Sequence, residues 1–155
     1  MRDLCLGMMR APNARIDDDE MATDNAVSTL GKLIEYCPNA LGDQAHHAAL
    51  AYLAYLPLRG DESEGKVCHE QLQRLVESSN QVILGSGNAH LPHIVRAMVA
   101  VVSTTRESEG DALEAHTRTR MCAMLRTISQ GISPDMYQGC LQMLGSDVLK
   151  SNLAA

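Results

Sequence analysis

The sequence predicts an all-α protein built from antiparallel pairs of helices. Apolar residues recur at the i, i+4, i+7, i+8 spacing of a helix that is buried along one side, beginning with Ala26, Leu30, Leu33 and Ile34. Proline or glycine ends most of these stretches, because proline lacks an amide and restricts the residue before it. The plan of two such stretches joined by a shorter connection occurs three times along the chain.

The first pair is predicted over residues 17–58. The acidic run Asp17–Glu20 precedes the first apolar stretch, where carboxylates cap unpaired amides and face the positive end of the helix dipole. Pro38 predicts the end of this helix, Asp43 is a candidate cap for the next one, and Pro57 ends that second helix. Neither helix can bury its apolar face alone, so the short connection favours an antiparallel pair.

The second pair is predicted over residues 62–103, with helices at about Ser63–Ser78 and Ala89–Ser103. Asn88 is a candidate cap for the latter helix. The segment between them has the apolar centre Val82-Ile83-Leu84, which fits a short strand. Because no partner strand is evident elsewhere, we interpret this segment as a loop whose apolar side chains lie under the helix pair.

The third pair is predicted over residues 112–150. Its first helix covers about Ala112–Gln130, and Ser133 with Pro134 predicts the start of the second, which stops near Gly145. Residues 1–12 carry an apolar segment without an evident partner helix. We interpret it as the end of a preceding helix, so the chain would be a fragment of a longer protein or would carry an exposed cap.

The three pairs recur at similar distances. Equivalent positions are 42 residues apart between Leu33 and Leu75 and 41 apart between Leu53 and Ile94. The third pair follows the second after 50 residues (Leu75 to Leu125) or 47 (Ile94 to Leu141), with the excess in the linker 104–111. HEAT and armadillo units repeat every ~40–47 residues, and about three stacked units are needed for a continuous core. The sequence therefore predicts a right-handed HEAT-repeat α-solenoid of about three units, in a single region over residues 1–155.

Composition favours a binding protein over an enzyme. The chain contains no Phe or Trp, so small aliphatic residues must form the core, which suits closely packed helices better than a deep ligand pocket. The net charge of −6 argues against a nucleic-acid binder and fits a basic partner. Five widely spaced cysteines predict free thiols in a reducing compartment. We expect no signal peptide and no membrane span.

Several short motifs occur in a fixed order in the first two pairs: Asp24-Asn25-Ala26, Gly31-Lys32, Leu56-Pro57-Leu58, the acidic segment Asp61–Glu64, and Asn88 with Leu91-Pro92. In this order and at this spacing they resemble the C-terminal HEAT repeats of importin-β (karyopherin-β) family nuclear transport receptors. They are most similar to the importin-4 and importin-5 branch. The resemblance covers about residues 17–102, and the remainder fits as a further helical hairpin.

The resemblance implies a segment of a nuclear import receptor that shuttles between cytoplasm and nucleus. Such receptors carry cargo with basic import signals and release it on binding Ran-GTP, mainly through N-terminal repeats outside this chain. Cargo would lie on the concave face, built from the second helix of each pair, and FG-nucleoporins would dock between outer helices. No catalytic residue, cofactor or metal is implied, nor direct contact with nucleic acid or membrane. Apolar ends of such a solenoid also predict an end-to-end homodimer.

The candidate partner-binding residues are the acidic run Asp17, Asp18, Asp19 and Glu20, which would attract a basic cargo segment or a hard cation. The alternative interpretation is a helix cap with a solvated acidic face. The methionines are interpreted mainly as core residues, with an adaptable binding groove as the alternative; they include Met8, Met9, Met98, Met121, Met124 and Met143.

Three histidine-bearing motifs raise the possibility of a metal site: His46-His47, Cys68-His69, and His90 with His93. Zinc prefers three or four converging ligands with supporting partners, and none of these motifs has a further ligand at the usual spacing. We therefore predict no metal site. The alternative functions are a HEAT scaffold unrelated to transport, such as a phosphatase or chromosome-organising subunit, and a small helical metal-dependent hydrolase that uses the histidines.

Asn25 lies inside the first predicted helix, where asparagine is mildly unfavourable unless its amide finds partners. We expect its amide to be buried and to hydrogen-bond a facing backbone group, which would fix the register of the helix pair.

Overall fold

The computed structural model describes residues 1–11, 14–16, 18–103 and 115–144, and within these ranges it contains helices and no strand. The all-α prediction is confirmed. Two 3-10 segments lie at Pro38–Gln44 and Ser86–Asn88, and the α-helices are α1 (Arg2–Met9), α2 (Asp18–Tyr36), α3 (Ala45–Tyr55), α4 (Glu62–Glu77), α5 (Gln81–Leu84), α6 (Leu91–Val102), α7 (Ala115–Gly131) and α8 (Pro134–Leu144).

The helix ends follow local sequence signals in most places. α2 stops at Tyr36, two residues before Pro38, and α3 stops two residues before Pro57. The side chain of Asp61 caps α4 by accepting a hydrogen bond from the Glu64 amide at 3.0 Å. Ser133 caps α8 in the same way, accepting from the Met136 amide at 3.3 Å.

The predicted caps of two helices, Asp43 for α3 and Asn88 for α6, are wrong. Asp43 lies inside the 3-10 segment, which leads directly into α3, so the N-cap of that helix is Gln44. Asn88 also lies in a 3-10 segment, with a φ of 61°, and α6 begins after His90. In both cases an additional 3-10 turn fills the connection and moves the helix start beyond the residue that local sequence favoured.

The sequence analysis interpreted the apolar segment between α4 and α6 as a loop, and this interpretation is wrong. The segment forms α5, because the Asn80 side chain accepts hydrogen bonds from the amides of Val82 at 3.0 Å and Ile83 at 3.1 Å. Gly85, with a φ of 70°, ends the helix. The buried Ile83 belongs to the core beneath α3 and α6, so its expected location there is confirmed.

The helices contact one another in two series. In the first, α2 packs against α4 and α4 against α7; in the second, α3 packs against α6 and α6 against α8. α1 packs against α2 and α3 and buries Cys5, Leu6 and Met9. The expectation that residues 1–12 lack a partner helix is therefore wrong for α1. One continuous hydrophobic cluster runs through all these contacts.

Asp24, rather than Asn25, provides the buried polar contact of α2. Its carboxylate is 3% exposed and accepts hydrogen bonds from the amides of Gly60 at 2.7 Å and Asp61 at 3.0 Å, which fixes the connection before α4. Asn25 is exposed, and its amide donates to Met21 O of its own helix at 3.0 Å. The prediction for Asn25 is wrong because one residue along a helix turns the side chain by about 100°, away from α4.

Candidate functional site

An open cleft lies between α4 and α7. Its volume is about 430 Å³, and most of its surface is apolar. Aliphatic side chains form the floor, whereas a charged pair and a threonine stand at the edge. We refer to it as the α4–α7 cleft, defined by Val76, Glu77, Arg120, Ala123, Met124, Thr127 and Ile128.

The cleft exists because each helix has a wider apolar stripe than its neighbours cover. On α7, Met121 and Leu125 are fully buried, whereas Met124 and Ile128 are only half-buried at the margin of the same stripe. On α4, Val76 stands in the same position beside the buried Leu75. Residues three and four apart share a helix face, so these side chains form one continuous apolar margin.

A charged pair bridges the cleft at its edge. Arg120 Nε donates to Glu77 Oε1 at 3.1 Å, and Arg120 Nη2 donates to Glu77 Oε2 at 2.7 Å. This two-point geometry orients both side chains. Because both groups are substantially exposed, such a pair contributes only about 0–1 kcal/mol. The cleft therefore has an apolar floor and a polar, easily rearranged rim, an arrangement suited to binding an apolar side chain of another protein.

The acidic candidates lie elsewhere, at the start of α2. Asp17 lies outside the described residues, and α2 begins at Asp18. Asp19 is exposed, whereas Glu20 is half-buried beside Gly60, where a Cβ atom would come within 2.7 Å of Glu20 Cγ. Glu20 therefore contacts the connection that Asp24 holds, and Asp19 is exposed near the start of α2.

The histidines form separate contacts instead of one site. His90 is buried, and its Nδ1 donates to Ile83 O at 3.0 Å while its Nε2 lies 2.7 Å from His46 Nδ1. His47 contacts Arg10. His69 is buried on α4, where its Nε2 accepts from the Leu58 amide at 3.3 Å.

His90 therefore precedes α6 and does not share a helix face with His93. Among residues 1–11, 14–16, 18–103 and 115–144, no three His, Cys, Asp or Glu side chains converge as a metal site would require. Burial raises the pKa of the Cys68 thiol to about 12, so Cys68 is a core residue and not a reactive thiolate.

No protein-family model matches this sequence. In the part of the chain that the structure describes, no helix combines the length and apolar character needed to cross a membrane.

Sequence reasoning named the side chains of the cleft only as core residues. Met124 belonged to the group for which a binding groove was the alternative, and it is one of the residues that line the cleft. Met98 and Met121 are fully buried, as the core interpretation expected. The available signal was the breadth of the α4 and α7 stripes, which exceed what one neighbouring helix can cover.

Proposed function

We propose that this chain is a protein-binding segment of a nuclear import receptor, folded as a short HEAT-type solenoid. The observation that carries the proposal is the order of helix contacts. First helices of successive pairs contact one another (α2, α4, α7), and second helices do the same (α3, α6, α8). This serial contact is typical of repeat proteins, in which each pair buries its apolar face against its neighbours.

The position of α1 supports the same interpretation. α6 is a second helix, and it contacts both helices of the following pair, α7 and α8. α1 also contacts both helices of the pair that follows it, although it packs mainly on α2, whereas α6 packs mainly on α8. α1 therefore covers one side of the first helix pair, as a neighbouring helix of a solenoid would. Together with the motifs in residues 17–102 that resemble importin-β receptors, this favours a transport receptor over an unrelated helical bundle.

The α4–α7 cleft provides a specific partner site for this function. It lies between two first helices, where FG-nucleoporins dock in the receptors that this chain resembles. Val76, Met124 and Ile128 offer an apolar floor for a phenylalanine side chain. Cargo with a basic import signal would contact the acidic first helices α2 and α4 instead of the second helices, because α3 and α6 contain no Asp or Glu. Ran-GTP would act mainly through other repeats. The proposal includes shuttling between cytoplasm and nucleus, and it includes no catalytic activity, cofactor or nucleic-acid contact.

Binding of labelled FG-repeat peptides to the purified chain tests the proposal. We expect saturable binding that a peptide with serine in place of phenylalanine lacks. Ala123→Gln places an amide over the apolar floor and should weaken FG binding by about fivefold, because an unpaired polar group is costly to bury. Ala22→Gln, at an exposed position of α2, is the matched control and should bind normally.

A basic import-signal peptide is the second probe. Binding of either peptide to its expected residues supports a transport receptor. If neither peptide binds while other apolar peptides occupy the cleft, the chain is a HEAT scaffold unrelated to transport. An FG peptide that binds Ala123→Gln as tightly as the natural chain would exclude the cleft as its site.

A further inference from the structure

Charge is divided unequally between the helices α2 and α4 on one side and the helices α3 and α6 on the other. The helices α2 and α4 contain nine carboxylate side chains, from Asp18 to Glu77, and three lysine or arginine residues. The helices α3 and α6 contain no Asp or Glu, but they carry three exposed or half-buried histidines and one arginine: His46, His47, His93 and Arg96. Within an acidic protein, α3 and α6 are therefore two neighbouring helices that carry no carboxylate of their own.

Two further arginines lie beside the surface of these two helices, in the segment after α1. Arg10 contacts the His47 ring, and Arg15 Nη2 donates to Tyr55 O at 2.5 Å. We call this surface the cationic face and define it by its six members: Arg10, Arg15, His46, His47, His93 and Arg96.

The arginines of the cationic face are held in place by neutral groups. The Arg15 guanidinium carbon lies 4.4 Å from the Tyr55 ring centroid, and Arg96 donates to the carbonyl of Leu53. A carbonyl or an aromatic ring orients a guanidinium without neutralising it. Each arginine has five N–H donors, so these contacts leave further donors for a carboxylate.

The positive charges lie close enough to influence one another. Burial lowers the pKa of Arg96, and the nearby Arg15 charge lowers it further. Burial also lowers the pKa of His93, with additional repulsion from His90, Arg96 and His46. An anion placed among these groups would relieve that repulsion.

We propose that the cationic face binds an acidic peptide segment of a partner protein. Arginine forms two parallel hydrogen bonds with a carboxylate, so Arg10, Arg15 and Arg96 provide up to three such positions. Near these arginines, α3 presents small or aliphatic side chains, including Leu50 and the exposed Ala54. Such side chains allow a peptide backbone to approach closely. The inference does not depend on the transport function, and its partner has the opposite charge to a basic import signal.

An acidic peptide fits this face better than a nucleic acid does. The chain has a net charge of −6, and the carboxylates of α2 and α4 repel a long polyanion that extends beyond the face. Nucleic-acid affinity depends on neutralising many phosphates, and three arginines supply few contacts of that kind. A short acidic peptide need not extend beyond the cationic face, so it avoids the carboxylates of α2 and α4.

Fluorescence anisotropy with a labelled Glu-rich peptide tests the proposal, with the corresponding Gln-rich peptide as the ligand control. Arg15→Gln/Arg96→Gln should weaken binding of the acidic peptide by about fivefold to tenfold, as expected for two lost charge pairs. Lys32→Gln/Lys66→Gln removes the same charge from α2 and α4, and it should leave affinity within about twofold.

Because Arg96 is half-buried, replacing it can disturb folding, and a second variant is needed to separate lost binding from lost structure. Arg10→Gln/Arg15→Gln changes only exposed side chains, and it should also weaken binding while the circular dichroism spectrum stays unchanged. Three results would overturn the proposal: no binding of the acidic peptide, equal loss in the lysine control, or equal affinity for the Gln-rich peptide. Tighter binding of a single-stranded oligonucleotide or of anionic phospholipid vesicles, lost in the same variants, would assign the face to that ligand class instead.

Discussion

The contact between α2 and α4 and the contact between α4 and α7 differ in how closely the helices pack. The α2–α4 contact is filled by polar side chains from three helices. Tyr52 of α3 donates to Cys68 O at 3.1 Å, and Gln71 Nε2 donates to Glu35 Oε2 at 2.8 Å. The α4–α7 contact instead leaves a cleft of about 430 Å³, bridged only at its edge by the Glu77–Arg120 pair.

A glycine accounts for part of this difference. Gly31 of α2 is buried, and a Cβ atom there would lie 2.7 Å from Tyr52 Cε2 and would overlap with Gln71 Oε1. The absence of a side chain lets Tyr52 and Gln71 lie against the backbone of α2. On α7, Ala123, Met124 and Thr127 line the cleft beside α4, and no side chain of α3 fills it. The glycine therefore allows the α2–α4 contact to close, whereas the α4–α7 contact stays open to a partner.

The largest expected effect follows from adding a single methyl group at the closed contact. Gly31→Ala should lower the free energy of unfolding by about 3 kcal/mol, because Tyr52 and Gln71 are buried and cannot move without losing their hydrogen bonds. Urea unfolding measures this change. Gly7→Ala in α1 is the matched control, since a Cβ there meets nothing within 4 Å. It should be neutral or stabilising by about 0.5–1 kcal/mol, and equal losses in both variants would refute the close-contact explanation.

The second effect concerns the connection that leads into α4. Asp24→Ala leaves the amides of Gly60 and Asp61 without their acceptor and should lower the free energy of unfolding by about 2 kcal/mol. The neighbouring Asn25→Ala should change it by less than about 0.5 kcal/mol, because Asn25 is exposed and bonds only within its own helix. Thermal and urea unfolding of both variants decide between these positions, and a larger loss for Asn25→Ala would reverse the assignment.

A smaller, pH-dependent effect comes from Glu35 at the same contact. Burial raises the pKa of Glu35, but hydrogen bonds from Arg74 and Gln71 outweigh burial and hold the pKa below its ordinary value of 4.5. The unfolded chain therefore takes up a proton first as the pH falls. The stabilisation is present above the ordinary pKa and disappears as the pH falls through the lower pKa of the folded state.

Glu35→Gln should accordingly lower the free energy of unfolding by about 1 kcal/mol at neutral pH, and the difference from the natural chain should shrink at about pH 3. Urea unfolding at both pH values provides the measurement. In an Arg74→Gln background the same substitution should have a smaller effect, because one of the two hydrogen-bonding partners is gone. A pH-independent difference would mean that the Glu35 contact does not respond to ionisation as described.

The smallest expected effect is at the open contact. Ala123→Leu adds aliphatic volume to the cleft, where space is available, so the free energy of unfolding should change by less than about 0.5 kcal/mol. The same substitution should reduce binding of an FG peptide, since the added side chain occupies the floor of the cleft. A destabilisation comparable to that of Gly31→Ala would show that the α4–α7 contact is closed in solution.

Much of the secondary structure could be predicted because its signals are local. Pro38 and Pro57 mark helix ends, Ser133 caps α8, and the spacing of apolar residues identifies the buried side of each long helix. The errors occur where a short 3-10 or α-helical turn competes with a loop. α5 is the clearest example, because its four residues give too short a window for helical periodicity to be visible.

The candidate site could be predicted only in part, because it depends on which helices become neighbours. The sequence indicated Met124 as a core residue with a binding groove as the alternative, but an apolar stripe on one helix does not reveal whether the facing helix covers it. The pairing of His46 with His90 joins residues from different helix pairs, so no local spacing could indicate it.

The sequence by itself determined that this protein is all helical, where its long helices end and which side of each is buried, because capping, proline geometry and apolar periodicity act within a few residues. Tertiary structure alone decided that Asp24 and not Asn25 anchors the start of α4, that α4 and α7 leave a cleft, and that Arg10 and Arg15 lie beside the cationic residues of α3 and α6. These properties depend on the distance and rotation between neighbouring helices. A single glycine or a 100° step along a helix changes that geometry without changing the local pattern.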